Sequence, residues 1–287
     1  MSRVHKPHRW QWLWLIPAAL LVWWPLWFLF MGALMSQEEL RLTIGPALGL
    51  GTGYTVWHLL PDWPTLEPLL TLLLDTPQFF VMFWNSISQS VAQVAGNLLV
   101  GAPAAWAISR LRFRGRSMVR GLYIVLMLLP FQVTMVPSYL VLRQFGLLDT
   151  PWAIILPGIF STFPVFIMER GFDTIPREVL ESASIDGANQ WQRFWRIGIP
   201  LGIPGLISAL TLGFLDAWNA IEQPMTFLES PQYWPLSLFF TDPANLDTKQ
   251  LGLAMAASLW MLLPSILVFR FGQTYLEAGL TKGAVKG

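Results

Sequence analysis

The sequence predicts an all-α integral membrane protein with six transmembrane helices and with both termini in the cytoplasm. Of its 287 residues, 54% are hydrophobic and only 12% are charged, against roughly 25% charged in soluble domains. The 16 Trp and 19 Phe residues are typical of a protein with a large membrane-interface surface. Several stretches without Asp, Glu, Lys or Arg approach or exceed the ~20 residues that a helix needs to cross a bilayer.

The distribution of basic residues sets the expected number of spans. The stretch 42–61 is rich in Gly and Pro, and it is a poor helix candidate. Counting it as a span would also place the arginine-rich loop 110–120 outside, against the positive-inside tendency. We therefore expect residues 36–78 to form a long outer loop. The six expected spans are 11–35, 82–108, 118–141, 151–169, 201–221 and 251–271.

These spans suggest two parts, residues 1–78 with the first helix and the outer loop, and residues 79–287 with a five-helix core. The basic N-terminus precedes an apolar run that is too long for a signal peptide and has no A-x-A-like cleavage site, so it is expected to be retained. Several spans contain proline, for example Pro130 and Pro137 in the third. Proline kinks helices, and the kinks can be ordinary bends or hinges.

A charged segment, from Glu169 to Pro200, separates the fourth and fifth spans and is expected in the cytoplasm. It is predicted to form a short amphipathic helix from Pro176, capped by Asp173 or Thr174, and ended by a left-handed turn at Gly187. A second short helix, 189–196, would present its aromatic residues, Trp191, Phe194 and Trp195, to the membrane interface. Residue chemistry alone leaves two interpretations open: a hairpin packed on its own bundle, or a docking surface for a cytoplasmic partner.

The stretch E-S-A-S-I-D-G-A, followed by I-x-I-P, resembles the EAA loop of permease subunits in ATP-binding-cassette importers. Glu181, Ala183, Asp186, Gly187 and Pro200 match that pattern, with a serine in place of its first small alanine. Further stretches resemble the carbohydrate branch, in particular the second permease subunit of maltose-type systems. They are RLRFRGR at 110–116, LPFQVTMVPSYLVLRQFGLLDT at 129–150, FLDAWNAIEQP at 214–224 and GLTKGAVKG at 279–287.

The resemblance implies one half of the translocation pathway of an ATP-driven sugar importer in the cytoplasmic (inner) membrane of a prokaryote. Its implied partners are a second homologous permease subunit, two ATPase subunits and an extracytoplasmic sugar-binding protein. The residues implied to couple to the ATPase are Glu181, Ser182, Ala183, Ser184, Asp186, Gly187 and Ala188. The C-terminal tail is also expected to reach the ATPase. An importer for an amino acid, a polyamine or another polar solute is the first alternative, and an ion-driven secondary transporter is the second.

The chain itself is expected to be non-catalytic and to bind no cofactor. It has no G-x-x-x-x-G-K-[ST] loop, so ATP and Mg²⁺ would be bound by the partner ATPase. Cysteine is absent and the three histidines are scattered, so no metal site and no catalytic residues are assigned. A net charge of +1 gives no indication of nucleic-acid binding.

Polar side chains within the spans are candidates for the substrate pathway, because such groups are costly in a membrane. Asp216, Asn219 and Gln223 share one helix face at spacings of three and four. In the family, an acid usually follows the W-N pair, whereas here Ala220 follows it. Hydrogen bonds between helices, within the bundle or to a partner permease, are the alternative explanation of the same residues. The full candidate set is Asn85, Gln89, Gln132, Asp216, Trp218, Asn219 and Gln223.

Overall fold

The computed structural model describes residues 9–48, 54–56, 58–239 and 251–284, and every regular element in these ranges is a helix. Five helical segments there are long and apolar enough to cross a membrane, and a bent pair would make a sixth. The α-helices are α1 Arg9–Gly32, α2 Gln37–Ile44, α3 Glu67–Leu70, α4 Pro77–Arg110, α5 Arg116–Leu128, α6 Phe131–Gln144, α7 Trp152–Ile159, α8 Thr162–Asp173, α9 Arg177–Ile185, α10 Gln190–Arg193, α11 Ile199–Trp218, α12 Glu222–Phe227 and α13 Leu251–Ala284. Short π segments, Thr71–Asp75 and Phe194–Gly198, follow α3 and α10.

The third expected span, 118–141, is not one helix. It is divided into α5 and α6, which meet at an angle of 104°. Leu129 and Pro130 between them are extended, with ψ values of 126° and 151°. Proline lacks the N–H that a helix needs, and it drives the preceding residue out of the helical region. The pair can still form one bent span, so the single span stays a prediction, and the proline at its break is one of those the sequence identified.

Contacts divide the chain into two compact units. The first unit contains residues 1–79 and 239–262, and the second contains residues 80–238 and 263–287. The expected parts 1–78 and 79–287 concerned membrane topology, and that division stays a prediction.

In the first unit, most side chains of α1 are exposed. Every described side chain from Trp12 to Trp27 is exposed, whereas Met31 and Met35 beyond them are buried with Leu40. The Ser36 hydroxyl caps α2 by accepting a hydrogen bond from the Glu39 N–H at 3.3 Å. An apolar helix whose side chains are exposed along most of its length is suited to contact lipid.

In the second unit, α8 and α11 pack at van der Waals distance through two glycines. A Cβ atom on Gly171 would lie 2.7 Å from the Gly205 Cα, which is closer than carbon atoms can approach. Small residues at such crossings let membrane helices come together. The adjacent core contains Trp106, Met168 and Phe172, so the end of α8 that leads to α9 is held in a packed interior.

Candidate functional site

The charged segment folds into two short helices, α9 and α10, joined by a tight turn that we call the hairpin (residues 177–198). Gly187 has φ = +82°, as the sequence predicts, and this conformation favours glycine. Its N–H donates to the Ser184 carbonyl at 3.1 Å, and the Ala188 N–H donates to the Ala183 carbonyl at 2.9 Å. Both bonds satisfy carbonyls at the end of α9. The backbone of the turn is therefore fixed by its own hydrogen bonds.

The predicted caps of α9 are wrong. Pro176 precedes the helix in an extended conformation with ψ = 139°, and no side chain caps the first turn. Thr174 instead donates to the Gly171 carbonyl at 2.8 Å, and Asp173 accepts a hydrogen bond from Ser109 at 2.6 Å. Both side chains therefore belong to the end of α8.

One side of the hairpin is open to its surroundings. Glu181, Ser182, Asp186 and Gly187 are all exposed, and Ile185 is 87% exposed. Of the remaining predicted coupling residues, Ser184 is exposed, and Ala183 and Ala188 are half-buried. An exposed isoleucine beside small and acidic side chains provides a surface that another protein could cover.

Hydrogen bonds close the hairpin on itself. The Ser184 hydroxyl donates to the Leu180 carbonyl at 2.7 Å, and the Arg193 guanidinium donates to the Ser184 hydroxyl at 2.6 Å. Asn189 and Gln192 form a reciprocal capping box at the start of α10. The two helices are thereby joined by side chains as well as by the Gly187 turn.

The other side of the hairpin is packed into the second unit. Phe194 is 2% exposed, with its ring centroid 5.8 Å from that of Trp106 and 6.3 Å from that of Phe172. The expectation that Phe194 faces the membrane interface is therefore wrong, because its ring fills the core between α4 and α8. Trp191 and Trp195 are exposed, at 64% and 57%. The hairpin is thus fixed at one side and open at the other.

An ion-pair cluster, formed by Arg120, Glu169 and Asp173, lies next to the hairpin's base. Arg120 on α5 pairs with the buried Glu169 on α8, and it reaches Asp173 at 3.3 Å. A carboxylate that is 97% buried needs such a partner, because an isolated charge is strongly disfavoured in a protein interior. The cluster therefore ties α5 to the last turns of α8.

A second arginine secures the connection into α9. Arg110, at the end of α4, donates to the carbonyls of Phe172 at 3.1 Å and Ile175 at 2.6 Å. Phe172 lies in the last turn of α8, and its carbonyl also accepts from the Ile175 N–H at 3.1 Å, whereas Ile175 lies in the connection to α9, where the regular helical hydrogen bonds have ended. α4, α5 and α8 together hold the base of the hairpin.

The second unit also contains a cavity of about 1080 Å³. Asp216, Asn219 and Gln223 line it, as does Glu222, which the sequence placed only beside them. Among the described residues, no lysine, arginine or histidine lines this cavity. Its charged wall is therefore acidic.

Gln132 joins this group through Glu222. Its side-chain nitrogen donates to both Glu222 carboxylate oxygens, at 2.7 and 2.9 Å. This contact connects α6 with α12 across 90 residues of sequence. Spacing along one helix could not find it, since it depends on how the broken span folds.

Three predicted pathway residues have internal roles instead. Asn85 donates to the carbonyls of Gln232 and Trp234 at 2.8 and 3.1 Å, and Gln89 donates to that of Tyr233 at 2.9 Å. Trp218 is 1% exposed and contacts the rings of Phe214 and Phe83. None of the three lines the cavity.

Sequence reasoning missed Gln93 and Asn97, which do line the cavity. They continue the α4 polar stripe, which consists of Ser86, Gln89, Gln93 and Asn97 at helical spacings. The Asn97 amide also donates to the carbonyls of Ile159 and Ser161, at 3.0 and 3.1 Å. The spacing of three to four residues was the available signal.

No group of three or more His, Cys, Asp or Glu side chains suited to a metal ion occurs within the described ranges. The last residues of the C-terminal tail, 285–287, lie outside those ranges. The prediction that the tail reaches an ATPase therefore stays a prediction.

Comparison with known proteins gives consistent matches. Residues 97–282 match the family described as "Binding-protein-dependent transport system inner membrane component". The chain is 33% identical over 234 residues to the inner membrane ABC transporter permease protein YcjP of Escherichia coli (strain K12), covering 80% of this chain and 83% of the relative. It is 28% identical over 227 residues to the arabinooligosaccharides transport system permease protein AraQ of Halalkalibacterium halodurans, covering 79% and 81%.

A solved structure is similar across nearly the whole chain. It is a chain from a bacterial ABC transporter involved in the import of the acidic polysaccharide alginate, with a TM-score of 0.73 and 25% identity. The match covers 92% of this chain and 94% of that one. The resemblance seen in the sequence motifs is confirmed, and the chain belongs to the family of binding-protein-dependent transport system inner membrane components.

Proposed function

We propose that this chain is the transmembrane permease subunit of an ATP-driven sugar importer, forming half of the pathway and coupling ATPase closure to alternating access. The family membership supports the importer assignment. Relatives with arabinooligosaccharide and alginate transport in their names support a carbohydrate cargo. The observation that carries the coupling role is the hairpin, which is exposed on one side and fixed in the core on the other.

The exposed side would dock on a cytoplasmic ATPase subunit. The residues proposed for this contact are Glu181, Ser182, Ala183, Ser184, Asp186, Gly187 and Ala188. The small side chains would let the partner approach closely, and exposed Ile185 would supply apolar area at the centre of the contact. Because the turn at Gly187 is held by hydrogen bonds, a force on α9 would move the hairpin as one piece.

Movement would pass from the hairpin into the membrane helices at its base. Phe194 packs against α4 and α8, Arg110 binds the α8–α9 connection, and Arg120 ties α5 to α8. Such contacts connect the hairpin to three helices that surround the cavity or lead to it. Closure of the ATPase dimer would thereby reorient these helices.

The cavity would form this subunit's share of the pathway. Carboxylate and amide groups of Asp216, Asn219, Gln223 and Glu222 line it and can hydrogen-bond to sugar hydroxyls, and Gln132 would contribute by holding the Glu222 carboxylate. An acidic wall without a basic counterpart favours neutral sugars over anionic ones, since like charges repel. On this argument the cargo differs from the acidic polysaccharide of the alginate importer.

In the assembled importer, the hairpin and both termini would lie in the cytoplasm of a prokaryote. A second homologous permease subunit would complete the pathway across the inner membrane. Two ATPase subunits would bind ATP and Mg²⁺, and an extracytoplasmic sugar-binding protein would deliver the cargo. These assignments follow the charge distribution of the sequence and the resemblance to the family.

The test is transport by the reconstituted complex with Glu181→Lys, which reverses a charge on the exposed side of α9. We expect normal membrane insertion, and uptake at least tenfold lower, because the docking face is altered while the fold is not. Glu229→Lys, an exposed acid remote from the hairpin in sequence, is the matched control and should transport normally. Wild-type uptake by Glu181→Lys would contradict the coupling role.

The cargo is tested separately by ligand-stimulated ATPase activity of the complex with neutral and with uronic oligosaccharides. We expect stimulation by the neutral ones, and stimulation by uronic oligosaccharides alone would contradict the argument from the acidic cavity.

A further inference from the structure

The segment between α2 and α4 carries an unusual number of exposed apolar side chains. Trp63 is 83% exposed, and Leu59 and Leu60 are 60% and 62% exposed. In the helical part that follows, Leu66, Leu70 and Leu74 are exposed at 58%, 52% and 74%. An apolar surface of this extent on a folded protein indicates a binding partner or a membrane.

The helical part of this segment has two distinct faces. Leu66, Leu70 and Leu74 recur every four residues and so lie on one face. Pro68 and Leu72 lie on the opposite face and are buried, where a Cβ on Gly252 would lie 3.0 Å from the Pro68 ring. The face with Pro68 and Leu72 is therefore already packed within the protein, whereas the face with Leu66, Leu70 and Leu74 is exposed and available for another contact.

Hydrogen bonds attach the segment to α1 and to the residues that join α1 to α2. The Trp27 indole on α1 donates to the Leu59 carbonyl at 3.0 Å, and the Thr65 N–H donates to the Leu34 carbonyl at 2.8 Å. Trp27 precedes the last residue of α1 by five positions, so Leu59 lies about 8 Å back along the helix from its end.

With α1 centred in the bilayer, this depth lies about 5 Å inside the boundary of the hydrocarbon core. α1 has 24 residues and is therefore about 36 Å long, against about 30 Å for the hydrocarbon. The described side chains of α1 from Trp12 to Trp27 are all exposed, as in a helix facing lipid. The apolar segment thus adjoins a helix surface that is suited to contact the membrane, and interfacial segments bury their apolar faces by about 5–10 Å.

The backbone of the non-helical part is also suited to this position. Irregular backbone near lipid needs its polar groups satisfied or absent. Pro61 and Pro64 have no N–H, the Asp62 N–H donates to a Glu39 carboxylate oxygen at 2.8 Å, and the Thr65 N–H donates to the Leu34 carbonyl just beyond α1. Four of the five positions from 61 to 65 therefore offer no free donor.

We propose that residues 59–74 form an interfacial segment that lies on the lipid surface beside α1, with Leu59, Leu60, Trp63, Leu66, Leu70 and Leu74 inserted into the headgroup region. The inserted tryptophan is typical of the aromatic belts of membrane proteins. The occupant of this surface is lipid, rather than a sugar-binding protein or another subunit. This inference concerns a part of the chain remote in sequence from the hairpin, and it holds for any cargo.

Spin-label accessibility in lipid nanodiscs tests this proposal directly. The chain has no cysteine, so a single cysteine labels it uniquely once the partner subunits are cysteine-free. We would introduce Trp63→Cys and Leu70→Cys, with Glu67→Cys as the matched control, because Glu67 is exposed in the same helical turn. Accessibility to oxygen, which concentrates in lipid, is compared with accessibility to a water-soluble nickel chelate.

We expect the oxygen-to-nickel ratio to be several-fold higher at positions 63 and 70 than at 67, and to be unchanged by the binding protein. A ratio at 63 and 70 equal to that at 67 would overturn the proposal, because both positions would be in water. Low access to both reagents, or protection only after the binding protein is added, would overturn it as well, in favour of a protein partner. If Trp63→Cys does not assemble, Leu74→Cys replaces it, since that side chain is 74% exposed.

Discussion

The hairpin and the α4 polar stripe both place polar side chains in an otherwise apolar protein, but they use them differently. On the hairpin, Glu181, Ser182 and Asp186 are exposed. On α4, Gln89 and Asn97 are 3% exposed each and donate to backbone carbonyls of other segments. Polar residues in a membrane protein therefore divide into those that complete the fold and those that remain available to a partner.

The stripe satisfies backbone groups at two places where helices are interrupted. The Ser86 hydroxyl accepts from the Leu236 N–H at 2.7 Å, and Asn97 binds the carbonyls at the α7–α8 break. Unpaired backbone groups are costly in a membrane bundle, so these amides allow the chain to leave the helical conformation. Mutations in the stripe should affect stability, and mutations on the exposed side of the hairpin should affect coupling.

The largest effect on stability is expected at the hairpin's base, where polar residues that complete the fold adjoin those that remain available to a partner. Arg120→Met would leave Glu169 buried without its cation. Removing one partner of a buried ion pair costs about 3–5 kcal/mol. Because Arg120 is partly exposed, at 33%, we expect a loss of stability near the lower end of that range. Thermal unfolding of the complex in detergent measures it.

The double variant Arg120→Met/Glu169→Leu provides the control for this effect. Without a charge to bury, much of the lost stability should return. If the single and double variants are equally unstable, the ion pair is not the cause of the loss.

The second effect separates the two regions directly. Asn97→Leu would leave two carbonyls at the α7–α8 break without their donor, which costs about 1–3 kcal/mol. Ser182→Leu, on the exposed side of α9, should change stability by about 0.5 kcal/mol or less while reducing uptake. Stability and transport are measured on both variants. An unstable Ser182→Leu and a stable Asn97→Leu would reverse the comparison.

The third effect concerns the turn at Gly187. Valine at φ = +82° would cost about 1–2 kcal/mol locally and shift the hairpin away from its docking position. Asparagine tolerates this region better, so Gly187→Asn should retain most of the uptake that Gly187→Val loses. Equal uptake by the two variants would show that the left-handed turn is dispensable for coupling.

The smallest expected effect is a dependence of stability on pH. It arises at Asp149, an acid that is hydrogen-bonded within the fold, unlike the exposed acids of the hairpin. Asp149 accepts hydrogen bonds from the Ser230 hydroxyl and from the N–H groups of Ser230 and Glu229. These bonds, that of the hydroxyl above all, lower the pKa of Asp149 below its ordinary value. A depressed pKa stabilises the fold above the unfolded value of about 3.9, and this contribution is lost as the pH falls through the folded pKa.

Asp149→Asn removes this titration while keeping a residue that tolerates the φ of +55° found there. The melting temperature of the wild type should therefore fall slightly more than that of the variant between pH 6 and pH 3. An identical fall in both proteins would exclude a contribution from Asp149.

The parts of the fold that depend on local chemistry could be predicted from the sequence. Hydrophobic runs predicted the positions of the spans, and glycine at position 187 predicted a left-handed turn. The break at Pro130 was not assigned as a change of direction, because its 104° bend depends on what surrounds α5 and α6. The burial of Phe194 was missed for a related reason, since an aromatic residue suits a core and a membrane interface equally well.

The site could be predicted only where its residues follow one another in the chain. The hairpin is contiguous, so most of the exposed residues around its turn were named, although Ile185, which is 87% exposed, was not among the predicted coupling residues. The cavity brings α4, α6, α11 and α12 together, and spacing within α11 and α12 found Asp216, Asn219 and Gln223 but gave Glu222 no role of its own. Asn85, Gln89 and Trp218 were assigned to the pathway because a sequence does not reveal which polar groups already have partners inside the fold.

The central claim is that the exposed side of the hairpin contacts an ATPase subunit, and proximity cross-linking tests it most directly. Ser182→Cys in this cysteine-free chain would be treated with a short bifunctional maleimide in the assembled complex, with Ser138→Cys in the cavity wall as the control. The account predicts a cross-link between position 182 and the ATPase subunit that changes in yield with ATP, and none from position 138. No cross-link from position 182 in a complex that assembles and transports would contradict the account.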